Sequence, residues 1–86
     1  MHMFEFHYDA GHGWMKVPRT IVRAIGLTES DFSEYSYADE DNLYLEEDCD
    51  AAVFCQAFEA MKGAKPDFAE IDDGRDSFIR RLRRLH

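Results

Sequence analysis

Eighty-six residues make one small domain with room for a single modest core, which the composition of 45% hydrophobic and 14% aromatic residues supplies without staples. The net charge, 10 − 18 = −8, disfavours unaided binding to nucleic acid or to an anionic membrane surface and favours a basic partner. Moderate acidity of this size also serves plain solubility.

The opening Met1-His2-Met3 has the look of a cloning remnant with the native start at Met3, so His2 is left out of functional argument. MFEFHY alternates: Phe4, Phe6 and Tyr8 face one way, while Met3, Glu5 and His7 face the other. That pattern predicts a half-buried strand over 3–8. Asp9-Ala10-Gly11-His12-Gly13 reads as a turn, and Trp14 to Val17 as the second strand of a hairpin. Pro18 suits the first position of a short helix ending at Ile25, with Ile21, Val22 and Ile25 as its apolar stripe. Gly26 serves as the left-handed residue after it, Leu27 packs back, and Thr28 with Asp31 resembles a capping pair.

Thr28 to Asp50 carries ten carboxylates and no Lys, Arg or His. Phe32, Tyr35, Tyr37, Leu43, Tyr44 and Leu45 are interleaved at strand-like spacing, which separates this stretch from a disordered acidic tail. It predicts a hairpin of Glu34–Ala38 with Leu43–Glu47. Tyr35, Tyr37, Leu43 and Leu45 share a face only in an even register. That register needs a three- or five-residue connection from Asp39–Asn42, with Asp41 or Asn42 left-handed. An odd register sends both leucines to the face opposite the tyrosines.

Asp48 is placed to cap the main helix, roughly Cys49 to Lys62, whose positive end is crowded by Glu46, Glu47, Asp48 and Asp50. Ala51, Phe54, Phe58 and Met61 form its core stripe, flanked by Val53, Cys55 and Ala57. Burial of Phe54 and Phe58 contributes about 1.5–3 kcal/mol each. Gly63 and Pro66 stop the helix. Asp67 to Ile71 reads as a short strand with Phe68 in the core, and Asp72-Asp73-Gly74 as a turn. DSFIRRLRRLH, residues 76–86, reads as a basic amphipathic tail with Phe78, Leu82 and Leu85 on one helical face. Its arginines suit nucleic acid or a membrane surface, or they fold over the domain and offset part of the acidic strip; the second reading is preferred. The expected fold is therefore α+β: a small antiparallel sheet of two hairpins plus a short later strand, packed on one main helix, with a short Pro-initiated helix.

The two cysteines, Cys49 and Cys55, sit six residues and about 600° apart on one helix, so they face different ways and do not pair. Without a secretory segment or long apolar run, a cytoplasmic chain with free thiols is expected. His7, His12 and Asp9 match no zinc spacing and read as a surface and a turn histidine. The carboxylates beside Cys49 oppose its activation. Nucleophile elbow, phosphate loop and HExxH motif are all missing, so no catalytic, metal or cofactor residue is assigned and no enzyme is expected. A metal-dependent or hydrolytic enzyme stands as the third hypothesis, since carboxylates for acid–base work are plentiful.

The run from Trp14 to Leu27 resembles the strand–Pro–helix–Gly unit of AbrB-like and MazE-like swapped-hairpin proteins. The matching residues are Val17-Pro18, Ile21, Arg23, Ile25-Gly26 and Leu27, with Ser30-Asp31 where that family often has Gly-Asp. The resemblance implies a homodimeric DNA-binding regulator or antitoxin, with Lys16, Arg19 and Arg23 at the DNA. The acidity of residues 29–50 and the long helix from Cys49 depart from that unit. By size, charge and aromatic–acidic hairpin, the whole chain resembles small inhibitor proteins of phages and mobile elements, of the anti-CRISPR and anti-restriction kind. Several of those imitate a phosphate backbone. Acids two apart on a strand lie about 6.6–7 Å apart, comparable to phosphate separations. The leading expectation is thus a non-enzymatic protein, monomeric or homodimeric, that blocks a basic nucleic-acid-binding site of a partner. Its contact residues are Glu34, Asp39, Glu40, Asp41, Glu46, Glu47, Asp48 and Asp50, with Tyr35, Tyr37 or Tyr44 as aromatic anchors.

Overall fold

A computed structural model describes residues 3–86, so the proposed remnant at residues 1 and 2 lies outside the described residues. β1 (Met3–Tyr8) and β2 (Gly13–Pro18) pair antiparallel, with Glu5 opposite Lys16 and Tyr8 opposite Gly13. Asp9 closes the turn between them. Its backbone N–H donates to the His12 carbonyl, and its Oδ1 accepts from the N–H groups of Gly11 and His12. A side chain at position 13 would collide with the Phe6 ring, since a Cβ there would lie 2.5 Å from Cζ.

α1 spans Arg19–Ala24. Pro18 is not its first residue, as expected, but the last of β2 and the helix N-cap. Its ψ of 139° is extended because it still lies opposite Asn42 in the sheet. Gly26 adopts φ 85°, and the N–H groups of Gly26 and Leu27 return to the carbonyls of Arg23 and Val22, a Schellman closure. The Thr28 N–H then donates to Asp31 Oδ2 across a short 3-10 turn, Glu29–Asp31.

β3 (Tyr37–Ala38) and β4 (Asn42–Glu46) form the central hairpin in the odd register: Tyr37 lies opposite Tyr44, and Ala38 opposite Leu43. The expected common face of Tyr37 and Leu43 is therefore wrong. So is the left-handed Asp41 or Asn42, because no described residue other than glycine has positive φ. The cause is Asp39, which repeats the device of Asp9. Its N–H donates to the Asn42 carbonyl and its Oδ1 accepts from the N–H groups of Asp41 and Asn42. That leaves a two-residue loop, Glu40–Asp41. Tyr35 precedes the strand and is exposed.

α2 (Asp50–Lys62) follows β4 and returns the chain to the end from which β1 and β4 start. Thirteen helical residues advance about 20 Å, the length of a six-residue strand. β5 (Asp67–Asp72) accordingly runs parallel to β1, so the sheet is mixed and not wholly antiparallel as expected. The strand order is β5-β1-β2-β4-β3-β6. The N-cap of α2 is Cys49 and not Asp48, and just ahead of the helix the Glu46 carboxylate turns back to accept from the N–H groups of Asp48 and Cys49.

The odd register gives the sheet two apolar faces. Met15, Val17, Ala38, Leu43 and Leu45 face α1 and α2, where Phe54 and Phe58 meet Phe4 edge-on at ring distances of 5.4 and 5.7 Å. Met61 and Phe68 fall outside this core, against expectation, and are 58% and 46% exposed. α2 lies over β1 and its inner neighbours, whereas Phe68 is on the edge strand and Met61 in the last helical turn.

Trp14, Tyr37 and Tyr44 form the opposite face, which the C-terminal segment covers. That segment is not the expected helix. It is a 3-10 turn, Phe78–Arg81, followed by β6 (Arg83–Arg84), which pairs with β3. A helix would have put Phe78, Leu82 and Leu85 on one side. Instead Ile79 fills the tyrosine face, Leu85 joins the helix-side core, and Phe78 stays 39% exposed.

Asp50, the first residue of α2, is 3% exposed and has no cationic partner among the described residues. It accepts from the Ser33 N–H and from the hydroxyls of Ser33 and Ser36, and Ser36 Oγ accepts in turn from the Glu46 N–H. Asp50→Ala strands these donors in the interior. Urea denaturation should show a loss of about 2–4 kcal/mol.

Candidate functional site

The acidic strip is not one surface. Asp50 and Glu46 are buried and spent on the start of α2. Asp39 holds its turn through Oδ1 and accepts the Tyr44 hydroxyl through Oδ2. Burial raises its pKa, but the bonds from Tyr44, Asn42 and Asp41 outweigh that and leave the group below its ordinary value. Glu29 is held low by Arg19, against burial, with help from Arg83. The carboxylates left exposed are Asp31, Glu34, Glu40, Asp41, Glu47 and Asp48. Glu40 and Asp41 lie at one end of β4, and Glu47 and Asp48 at the other, about 20 Å away at strand rise. Glu34 belongs to the second end, because Ser33 beside it binds Asp50 at the start of α2.

Of the three expected aromatic anchors, Tyr44 is 2% and Tyr37 8% exposed, and both pack under Ile79. Tyr35 alone is open, at 56%. Burial first, and then the bond to Asp39, pushes the Tyr44 phenol well above its ordinary range. Two of the basic residues expected at DNA are engaged within the chain. Lys16 Nζ lies 3.8 Å from Glu5, and the Arg19 guanidinium binds Glu29 and the Asp39 carbonyl. Arg23 is exposed on α1.

His7 lies between Glu5, 2.8 Å from Nε2, and Asp73, 3.1 Å from Nδ1. The two carboxylates sit on opposite ring nitrogens and do not converge on a point. Among the described residues no group of three His, Cys, Asp or Glu is arranged to hold a metal ion. Asp9 is committed elsewhere. Its side chain is fully buried, and it accepts from Arg80 Nε at 2.6 Å and from the Ser77 N–H at 2.8 Å. Arg80 holds its carboxyl far below the usual range, against the opposing effect of burial.

Sequence reasoning missed a cleft of about 330 Å³ between the C-terminal segment and the start of α2. Four of its residues were expected at a contact: Tyr35, Tyr37, Glu46 and Asp48. His12, Trp14, Cys49, Arg80 and Arg84 were not. Arg80 lies 5.2 Å over the Trp14 ring and Arg84 5.7 Å over Tyr37. The lone Trp beside a Gly-His-Gly turn was the available signal. No spacing rule links it to arginines near the C-terminus.

Cys49 is exposed at this cleft and Cys55 is half-buried; both are free thiols. Desolvation, then Glu46 and Asp50, push the Cys49 thiol up, so it is a poor nucleophile at neutral pH. Comparison of the chain with protein-family models, with curated proteins and with solved structures gave no match. Among the described residues no helix is long and apolar enough to cross a membrane.

Two outcomes follow from these groups. Asp9, Glu29, Asp39 and Glu5 all sit below their ordinary pKa when folded, Glu5 chiefly through its bond from His7. Their contribution is complete above an unfolded value of about 4 and is lost as pH falls through the folded values. The denaturation midpoint should therefore hold from pH 7 to about 5 and drop steeply below about 4, with a shallower acid limb in Asp9→Asn. For the cysteines, thiol titration of unreduced protein in denaturant should give two free thiols per chain, and a value near zero would contradict the structure.

Proposed function

We propose that this protein is a non-enzymatic acidic interaction protein that blocks a basic nucleic-acid-binding site of a partner, as a nucleic-acid mimic of the anti-CRISPR or anti-restriction kind. The observation that carries the reading is the division of the carboxylates. The interior ones are consumed by turns and caps, while Glu40 and Asp41 at one end and Glu34, Glu47 and Asp48 at the other stay exposed. Two rigid acidic edges about 20 Å apart match the axial length of about six nucleotide steps at 3.4 Å each. Each exposed pair with a basic groove contributes about 0.2–1 kcal/mol, so affinity comes from several acting together around Tyr35 as the open aromatic anchor.

Asp39 is left out of the contact because it is part of the fold. Its reversal would break the hairpin turn and confound a binding assay. The test is a quadruple variant, Glu40→Lys, Asp41→Lys, Glu47→Lys and Asp48→Lys, assayed on a partner captured from lysate. Wild-type protein should displace the partner's nucleic acid in a mobility-shift assay, less so as salt rises, because charge attraction is screened within about 10 Å at 0.1 M. The folded variant should lose this competition by at least an order of magnitude, and full retention would end the mimic reading. The swapped-hairpin alternative gives the reverse pattern: the bare protein shifts duplex DNA, and Arg23→Glu abolishes the shift.

A further inference from the structure

The cleft adjoins one acidic edge at Asp48, but its walls have a different chemistry. Trp14 is 2% exposed, and its indole N–H is buried with no hydrogen-bond partner among the described residues. Buried donors of that kind are rare in native proteins and call for an explanation. Of the two guanidiniums, Arg80 is consumed by Asp9. Arg84 has no carboxylate within ion-pairing distance among the described residues and rests only on the Tyr37 ring. Tyr35 stands open beside it, and Asp48 places an exposed carboxylate on the lining. The cleft thus offers one guanidinium in want of an acceptor, one exposed acceptor, and flat surfaces for stacking, while the Trp14 N–H lies beneath the wall.

That combination selects a planar ring whose edge carries both acceptors and donors. The free volume, about 330 Å³, is at the small end of ligand sites. On the lining Glu46 and Asp48 balance Arg80 and Arg84, and the net charge of −8 then opposes a phosphate. Guanine meets each requirement. O6 and N7 accept from a guanidinium fork, its N1–H and N2–H groups donate to a carboxylate, and its face stacks on an aromatic ring or guanidinium plane.

We propose that this cleft is a binding site for an uncharged purine of the guanine type, stacked on Tyr35 and hydrogen-bonded to Arg84 and Asp48. The site shares Tyr35 and Asp48 with the edge proposed to meet a partner, but base binding needs no partner. The base could arrive as a free nucleoside or be presented by a single strand, and the charge of the chain favours the free nucleoside.

Trp14 is the sole tryptophan, so its fluorescence reports on the cleft directly. The protein is titrated with guanosine, cytidine, guanosine monophosphate and a short guanine-containing oligonucleotide, with backbone amide NMR shifts as a second readout. Guanosine should give a saturable change that maps to residues 12–14, 35–37 and 84, several-fold tighter than cytidine or either charged probe. Arg84→Ala, Arg84→Lys and Tyr35→Ala, all at exposed positions, should each weaken it about tenfold, with an unchanged denaturation midpoint. Lys62→Ala, on the last turn of α2, should leave it alone. The proposal is overturned if guanosine gives no saturable response by either readout. It is equally overturned if a phosphate-bearing probe binds more tightly, or if the cleft variants bind as wild type does.

Discussion

Asp9 and Asp39 each fold a carboxylate back onto the two amides that follow in a four-residue turn, and both hairpins inherit their register from this one interaction. A two-residue loop leaves paired positions with an odd sum, which aligns Tyr37 with Tyr44 and Met15 with Phe6. Because side chains alternate along a strand, a slip of one residue would exchange the two faces of every affected strand. The register therefore decides that the leucines meet α2 while the tyrosines and Trp14 look the other way. The sheet then has two apolar faces, and the chain has to supply a cover for each.

The second oxygen of each aspartate extends the same device into tertiary structure. Asp39 Oδ2 takes the hydroxyl of Tyr44, which lets a tyrosine lie almost fully buried. Asp9 Oδ2 takes the Ser77 amide and the Arg80 guanidinium, and so ties the first hairpin to a segment about seventy residues later. Ser77 also donates to Asp73, which faces His7 across the sheet. This network holds the C-terminal segment over the tyrosine face. It also creates the cleft, whose walls come from the first turn, the approach to β3, the start of α2 and the C-terminal segment.

The same economy governs charge. A carboxylate in the interior is tolerated where several donors converge on it, and Asp50, Glu46, Asp9 and Asp39 meet that condition with amides and hydroxyls more often than with cations. Arginines of the tail take up Asp9 and Glu29. The exposed carboxylates of this stretch that flank the central hairpin, Glu40 and Asp41 at one end and Glu34, Glu47 and Asp48 at the other, are carried on turns that the interior acids fix.

The sequence by itself determined the local pieces: the strand over MFEFHY, the glycine stop after α1, the Thr28–Asp31 cap and the Phe54–Phe58 stripe all stand where the local pattern put them, although His7 is buried and Tyr8 exposed against the expected alternation. These depend on neighbours within about one turn or one strand, so a short window contains their cause. Tertiary structure alone decided the face of the tyrosines, the strand and 3-10 turn in place of a C-terminal helix, the parallel course of β5, and the exposure of Met61 and Phe68. Each of these turns on a partner distant in the chain, which a window cannot contain. The candidate site divides in the same way. The acids were legible as acids, but which of them are spent inside the fold, and that Trp14 meets Arg80, follows only from the strands and the C-terminal segment brought side by side.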